Sequence, residues 1–334
     1  MTAVLRESTG ARHTRLCGVG GYRPVRVVTN EEICEYIDSS DEWILERSGI
    51  RTRHFAAEDE SVVDMSVAAA EKALAAAGVR PDELSAVIIA TVTHLTQTPS
   101  AAALVAERLG AVNPAAFDIS AACAGFSYGI ALASDMVRGG SAEHVLVVGV
   151  EKLSDMVRRD DRGTAFIFGD GAGAAIVGPS DVAGIGPVVW GSDGSQADAI
   201  EQDAYWTALR DDPSHRFPAL KMSGQQVFRW AVFEMAKAAQ QALDVAGITV
   251  DDLDVFIPHQ ANMRITDAMI KQLGLPERVV VARDIEETGN TSAASIPLAM
   301  SRMLETGEAK SGDTALLIGF GAGLVYSGQV VTLP

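Results

Sequence analysis

Basic residues are scarce in this chain. Its 334 residues include 27 lysines and arginines against 44 aspartates and glutamates, a formal charge of −17. That imbalance excludes a general nucleic-acid binder, because nothing is available to neutralise a run of phosphates. Cysteine is nearly absent. Cys17, Cys34 and Cys123 are an odd number in a long chain, which excludes a disulfide framework and points to reduced thiols and a cytoplasmic setting. No Cys, His, Asp or Glu spacing resembles a metal site, so none is expected. Aromatics amount to 6%. Uninterrupted apolar runs long enough for a membrane span are also missing. The uncharged stretch from Thr314 to Pro334 is broken by Gly319, Gly321, Gly323 and Gly328, and reads as two buried strands about a glycine turn. Residues 1–14 are polar, lack the apolar core of a signal, and read as a flexible tail.

What is present is apolar and repetitive. Hydrophobic residues make up 48%, enough for a large globular core. ALAAAGVRPDELSAVIIA from Ala73 aligns with ALDVAGITVDDLDVFIPH from Ala242. In each copy an apolar stripe at helical spacing ends at a glycine, an acidic turn follows, and an apolar strand comes next. The stripes are Val63, Val67, Ala70, Leu74 and Ala77, then Phe228, Val232, Met235, Ala239 and Leu243. HVLVVG at His144 pairs with TALLIG at Thr314 at nearly the same offset. The duplication predicts two α/β halves, residues 15–182 and 183–334, with sheets buried between helices and a site where the halves meet.

Four segments have the residue types for chemistry there. AFDISAACAGFSYG places Cys123 at a strand-to-helix elbow, with a helix expected from Cys123 to about Val137. The positive end of a helix lowers a thiol pKa and suits a nucleophile. Cys17 and Cys34 read as small packed side chains. VFIPHQANMRI ends a buried strand on His259, the counterpart of Ala90. ETGNTSAAS forms a polar turn around Asn290 before an apolar helix. GFGAGLVYSG is a glycine turn able to bring backbone N–H groups to a substrate oxygen. FGDGAGAAIVG lacks the Lys-Ser/Thr of a phosphate loop and reads as a closely packed strand instead.

Together these segments, with SSDEWILERSGIRTRH, DRGTAFIFGDGAGAA and PHQANMRI, resemble the type III β-ketoacyl-acyl carrier protein synthases of the thiolase superfamily. The similarity runs from about Leu16 to the end. It implies an αβαβα sandwich of two thiolase-like halves, normally a homodimer, acting without metal or redox cofactor. Cys123 would accept the acyl group, and the N–H groups of Cys123 and Ala322 would form the oxyanion hole. His259 and Asn290 would stabilise the enolate left when malonyl-acyl carrier protein loses CO₂. CoA and pantetheine contacts would fall on Trp43, Arg47, Arg162 and Phe228, and on Ala261, Asn262 and Arg264. Thr98 would close the acyl pocket of a partner subunit, where acetyl-selective members carry phenylalanine, so a longer straight or branched acyl-CoA is expected to fit. The partner carrier protein is acidic, and Arg229, Arg264 and Lys271 are the basic candidates to meet it. The alternative on the same scaffold is a priming ketosynthase or acyltransferase of a polyketide pathway. A thiolase would need a second catalytic cysteine, and an elongating synthase a histidine where Asn290 stands.

Overall fold

In the computed structural model, which describes residues 5–334, ten strands form two five-stranded sheets. The first contains β1 (His13–Tyr22), β2 (Leu84–Ala90), β3 (Ala115–Ile119), β4 (His144–Glu151) and β5 (Gly171–Ser180). The second contains β6 (Ile185–Gly191), β7 (Val255–Pro258), β8 (Val280–Val281), β9 (Thr314–Gly321) and β10 (Val325–Thr332). Across the first sheet the order is β1-β5-β4-β2-β3, and across the second β6-β10-β9-β7-β8. Parallel and antiparallel neighbours also match, pair for pair. The repeat read from Ala73 and Ala242 is therefore a duplicated topology. The sheets divide at residues 181–184, the turn in which we propose the boundary between halves.

Six helices complete five layers. α1 (Val62–Ala77) and α2 (Ala101–Leu109) cover the outer face of the first sheet, and their counterparts α4 (Gly224–Ala246) and α5 (Met263–Leu273) cover the second. Between the sheets lie α3 (Gly125–Arg138) and α6 (Ser295–Thr306), packed on strands of both halves. The continuous apolar strands Leu146–Val148 and Leu316–Ile318 are buried on both faces, as such runs require. Gly78 (φ 64°) and Gly247 (φ 73°) terminate α1 and α4 in the left-handed region, the turn expected after each stripe. The charge-free C-terminal stretch is the hairpin β9–β10.

Two boundaries differ from the sequence reading. The tail ends before His13, not after residue 14. Thr14 is buried in β1, its hydroxyl bonded to Ser134 at 2.7 Å, and the Ala11 N–H already donates to the Val137 carbonyl. Residues 1–4 of that tail lie outside the described residues. The helix expected from Cys123 starts at Gly125, because residues 122–124 form a tighter 3₁₀ turn that re-aims the chain between β3 and α3.

Candidate active site

The carboxyl ends of β7 and β9 and the N-termini of the two central helices converge on one cavity of 720 Å³, within the range of small-molecule sites. Cys123, His259, Asn290 and Ala322 all line it. Four separate local structures bring them there.

Cys123 sits on the 3₁₀ turn before α3. Ala122, just ahead of it, is held at φ 43°, a conformation an L-residue adopts only under local constraint. The end of β9 presses against this elbow. A Cβ on Gly321 would stand 3.0 Å from the Cys123 sulfur and 2.8 Å from its amide nitrogen, so only glycine allows the approach. Ala322 then opens the next 3₁₀ turn. Cys123 and Ala322 thus both lie in first-turn positions, where an N–H has no partner in its own helix.

The thiol departs from the sequence expectation. Burial pushes the Cys123 pKa up to about 12. The nearby Ser292 hydroxyl opposes that rise and the Glu151 carboxylate adds to it. Cys123 stands ahead of the helix proper, and its sulfur faces the cavity rather than bulk water, so desolvation outweighs the helix end. The free thiol is therefore protonated near neutrality.

His259 directly follows β7, with its N–H donated to the Ile318 carbonyl at 2.7 Å. The ring meets Phe320 edge-on at 5.1 Å, and Nδ1 lies 2.7 Å from the Ser295 hydroxyl. With that serine donating, Nε2 carries the ring proton, and it has no other protein partner among the described residues. Burial pulls the pKa down to about 3, so the imidazole is neutral. Asn290 is placed by backbone bonds to Ile167 (2.8 Å) and Gly169 (3.0 Å), made possible by Gly289 at φ 63°. Its Oδ1 accepts the Ser292 N–H at 2.8 Å, which leaves the amide –NH₂ as the free end. Two neutral donors thus share the cavity with a half-buried thiol.

At the mouth, cations sit on aromatic faces. The Arg162 and Arg47 guanidiniums lie 4.8 and 5.6 Å from the Trp43 ring, and Arg264 lies 5.1 Å from Phe228. Asn262 caps α5 through the Arg264 N–H and ties it to the Arg47 carbonyl at 2.9 Å. Ala261 and Arg229 complete this wall. Among the described residues, Arg47, Arg162, Arg229 and Arg264 make no ion pair, so their charge remains available in a chain of −17. Lys271 lies two turns along α5 from Arg264, exposed and away from the cavity. Thr98 is also exposed and does not line the cavity of its own chain.

Glu151, Ser292 and Ser295 escaped the sequence reading. Glu151 had a legible signal, an acidic residue ending the otherwise apolar strand HVLVVGVE. Ser292 lay within the quoted GNTSAAS turn, but nothing distinguished its hydroxyl from a helix cap. Among the described residues, no group of three or more His, Cys, Asp or Glu could hold a metal ion, and no helix is long and apolar enough to cross a membrane.

Two family models match the chain. One is 3-oxoacyl-[acyl-carrier-protein] synthase III over residues 117–194, and the other is its C-terminal part over residues 243–333. The chain is 62% identical over 330 residues to the β-ketoacyl-[acyl-carrier-protein] synthase III of Streptomyces glaucescens, covering 99% of each. Its structure is similar to the priming β-ketosynthase of the R1128 polyketide pathway (50% identity, TM-score 0.97, 99% of both chains). It is also similar to 3-oxoacyl-(acyl carrier protein) synthase III of Pseudomonas aeruginosa PAO1 (39% identity, TM-score 0.89, 97% of this chain and 99% of that one).

Proposed function

The chain belongs to the 3-oxoacyl-[acyl-carrier-protein] synthase III family, and on that premise we propose how its cavity performs the condensation. It is an acyltransferase of the condensing type. The observation that carries the residue assignment is the convergence of a half-buried thiol, a neutral imidazole and a free amide –NH₂ on one cavity. The Cys123 sulfur attacks the thioester of an acyl-CoA primer, and the N–H groups of Cys123 and Ala322 hold the tetrahedral oxyanion. CoA leaves, and malonyl-acyl carrier protein brings its pantetheine arm down the same passage. His259 Nε2–H and the Asn290 amide hydrogen-bond the malonyl thioester oxygen. As CO₂ departs they stabilise the enolate, whose carbon attacks acyl-Cys123 to give 3-oxoacyl-carrier protein. No step calls for a metal or redox cofactor. Intact mass measurement after incubation with a panel of acyl-CoAs tests the assignment, because each accepted primer adds its own acyl mass to the peptide bearing Cys123.

The arginine–aromatic mouth takes the CoA moiety. Arg264→Ala is expected to raise KM for acyl-CoA about tenfold, the loss of one charge-assisted contact, with kcat for a saturating primer within twofold. Steady-state kinetics with acyl-CoA varied measures both. Arg229, Arg264 and Lys271 form the face offered to the acidic carrier protein, and binding there weakens as salt rises.

The working unit is a cytoplasmic homodimer. Among the described residues the first sheet ends at β3 with no further strand on that edge, and Asp118 of β3 caps α2 just after Thr98. In the dimer, Thr98 of one subunit closes the acyl pocket of the other. Threonine is smaller than phenylalanine by most of a ring, so the pocket takes a four- or five-carbon acyl chain, straight or branched. Two extra buried methylenes at about 0.8 kcal/mol each favour butyryl- over acetyl-CoA by about fifteenfold in kcat/KM. Thr98→Phe returns the preference to acetyl. Comparing kcat/KM for acetyl-, butyryl- and isobutyryl-CoA in both proteins checks this, and strict acetyl selectivity of the unmodified enzyme rules out the larger pocket. The likeness to a polyketide priming ketosynthase favours a second reading, in which the same chemistry loads a polyketide carrier protein. Competition between the two kinds of malonyl-carrier protein separates them.

A further inference from the structure

The protonated thiol raises a question the condensation leaves open, namely which group takes its proton. His259, with its pKa near 3, is a poor acceptor. The structure offers another. Glu151 ends β4 and is completely buried, yet no cation pairs with it among the described residues. Its Oε2 accepts the Thr93 hydroxyl (2.8 Å), the Val92 N–H (3.1 Å) and the Thr91 hydroxyl (3.2 Å). Its Oε1 faces the Ser292 hydroxyl at 3.1 Å. Ser292 lines the cavity together with Cys123, and the 3₁₀ turns that carry the two residues pack against each other.

The duplication sharpens the point. Residues 122–124 before α3 and 292–294 before α6 form the same 3₁₀ elbow, with Ala122 at φ 43° and Ser292 at φ 49°. In the second elbow Ala293 holds the place of Cys123, and at the end of the paired strand Glu151 holds the place of Gly321. The second elbow therefore carries no nucleophile, and in its place presents a strained serine between a carboxylate and the thiol.

We propose that Glu151 accepts the Cys123 proton through Ser292. The inference rests on Cys123 being the nucleophile. The S–H bond breaks as its proton passes to Ser292 Oγ, while the serine's own proton moves to Glu151 Oε1. The products are a thiolate, a serine hydroxyl now donating to that sulfur, and a neutral carboxyl. After thioester attack Ser292 hands a proton to the departing CoA thiolate and recovers one from Glu151, which is ionised again. Glu151 never touches the sulfur, so it is a positioning residue for the proton.

Burial pushes the Glu151 pKa up to about 7, which suits an acceptor that releases its proton again each turnover. The titratable groups around it are few. Cys123 faces it through Ser292. Lys152 turns away onto the Ala57 and Glu58 carbonyls and Asp155. Asp170, beside the strand partner Gly171, is held by Ser154 and the Ala56 N–H. His259 is held by Ser295, and residues 91–93 contribute only hydroxyl and amide groups.

The test is the pH profile of single-turnover acylation of Cys123 by radiolabelled butyryl-CoA and of its alkylation by iodoacetamide. In the unmodified enzyme both rates rise through a midpoint near 7 and level off, since the reactive form needs one proton shared between Glu151 and the thiol. In Glu151→Gln, which keeps the shape and the acceptor oxygen, the midpoint disappears. The rate at neutral pH falls about 10²-fold and climbs in proportion to hydroxide. Ser292→Ala breaks the route with a smaller change and loses the midpoint in the same way, so it carries the test if the glutamine variant fails to fold. A midpoint and rate unchanged in Glu151→Gln, or a midpoint unchanged in Ser292→Ala, overturns the relay alone. An unmodified enzyme that takes no acyl group on Cys123 overturns the nucleophile assignment and the relay with it.

Discussion

Cys123→Ser is expected to abolish acyl transfer from CoA, lowering condensation on the order of 10⁶-fold, as removal of a covalent nucleophile does. The site reaches even the thiol only with difficulty. Burial and the nearby Glu151 hold its pKa at about 12, and a serine hydroxyl at the same place is less acidic still, with a poorer nucleophile as its conjugate base. The substitution preserves the elbow. Ala122 keeps its strained turn, Gly321 keeps its close approach to residue 123, and oxygen is smaller than sulfur. The variant should therefore fold and bind acyl-CoA with the affinity of the unmodified enzyme. Intact mass spectrometry reads the outcome: acyl-CoA adds its acyl mass to the unmodified enzyme and none to the serine variant. A serine variant that condenses at the rate of the unmodified enzyme removes Cys123 from the mechanism.

The elbow illustrates what the sequence discloses and what it hides. The apolar stripes, the glycines that stop α1 and α4, and the matched runs at His144 and Thr314 fixed two equivalent halves, because periodicity and helix stops are local properties. That Cys123, His259 and Asn290 would meet at one cavity was legible because each follows a strand or a glycine turn. The sign of the thiol's pKa shift was not, because desolvation depends on everything packed around the sulfur, including β9 from the other half. The surroundings of Glu151 were hidden for a related reason, although its place at the end of an apolar strand was visible. An acidic residue after an apolar strand ordinarily marks the start of a loop, and only the fold places Thr91, Thr93 and Ser292 around it. Ser295 was invisible as a partner of His259, being 36 residues away in the chain. The mouth was readable only through the family resemblance, since the stacking of Arg162 on Trp43 joins segments that share no local pattern.

His259→Ala and Asn290→Ala are expected to split the reaction in two. Each variant still takes an acyl group onto Cys123 at close to the normal rate. Each fails to decarboxylate malonyl-carrier protein, with a loss of about 10²–10³, the value of one donor aimed at a developing oxyanion. The split follows from where the two side chains are anchored. The Asn290 Oδ1 is taken by the Ser292 N–H and the His259 Nδ1 by Ser295, so each presents one free donor to the cavity and neither can draw a proton from the thiol through the atom it has engaged. Burial keeps His259 neutral, with its pKa down at about 3. Its contribution to decarboxylation should then be independent of pH across the neutral range, because a neutral donor has no charge to lose there. Single-turnover labelling with radioactive acyl-CoA measures the first step, and release of labelled CO₂ from malonyl-carrier protein measures the second. The alanine change at Asn290 also removes the acceptor for the Ser292 N–H, so Asn290→Asp is the more discriminating partner variant. It retains that acceptor but replaces the free –NH₂ with an oxygen that repels the enolate, and decarboxylation should fall at least as far as in the alanine variant. Loss of the labelling step in folded His259→Ala and Asn290→Ala proteins would instead assign both residues to ionising the thiol, and the enolate would need another source of stabilisation.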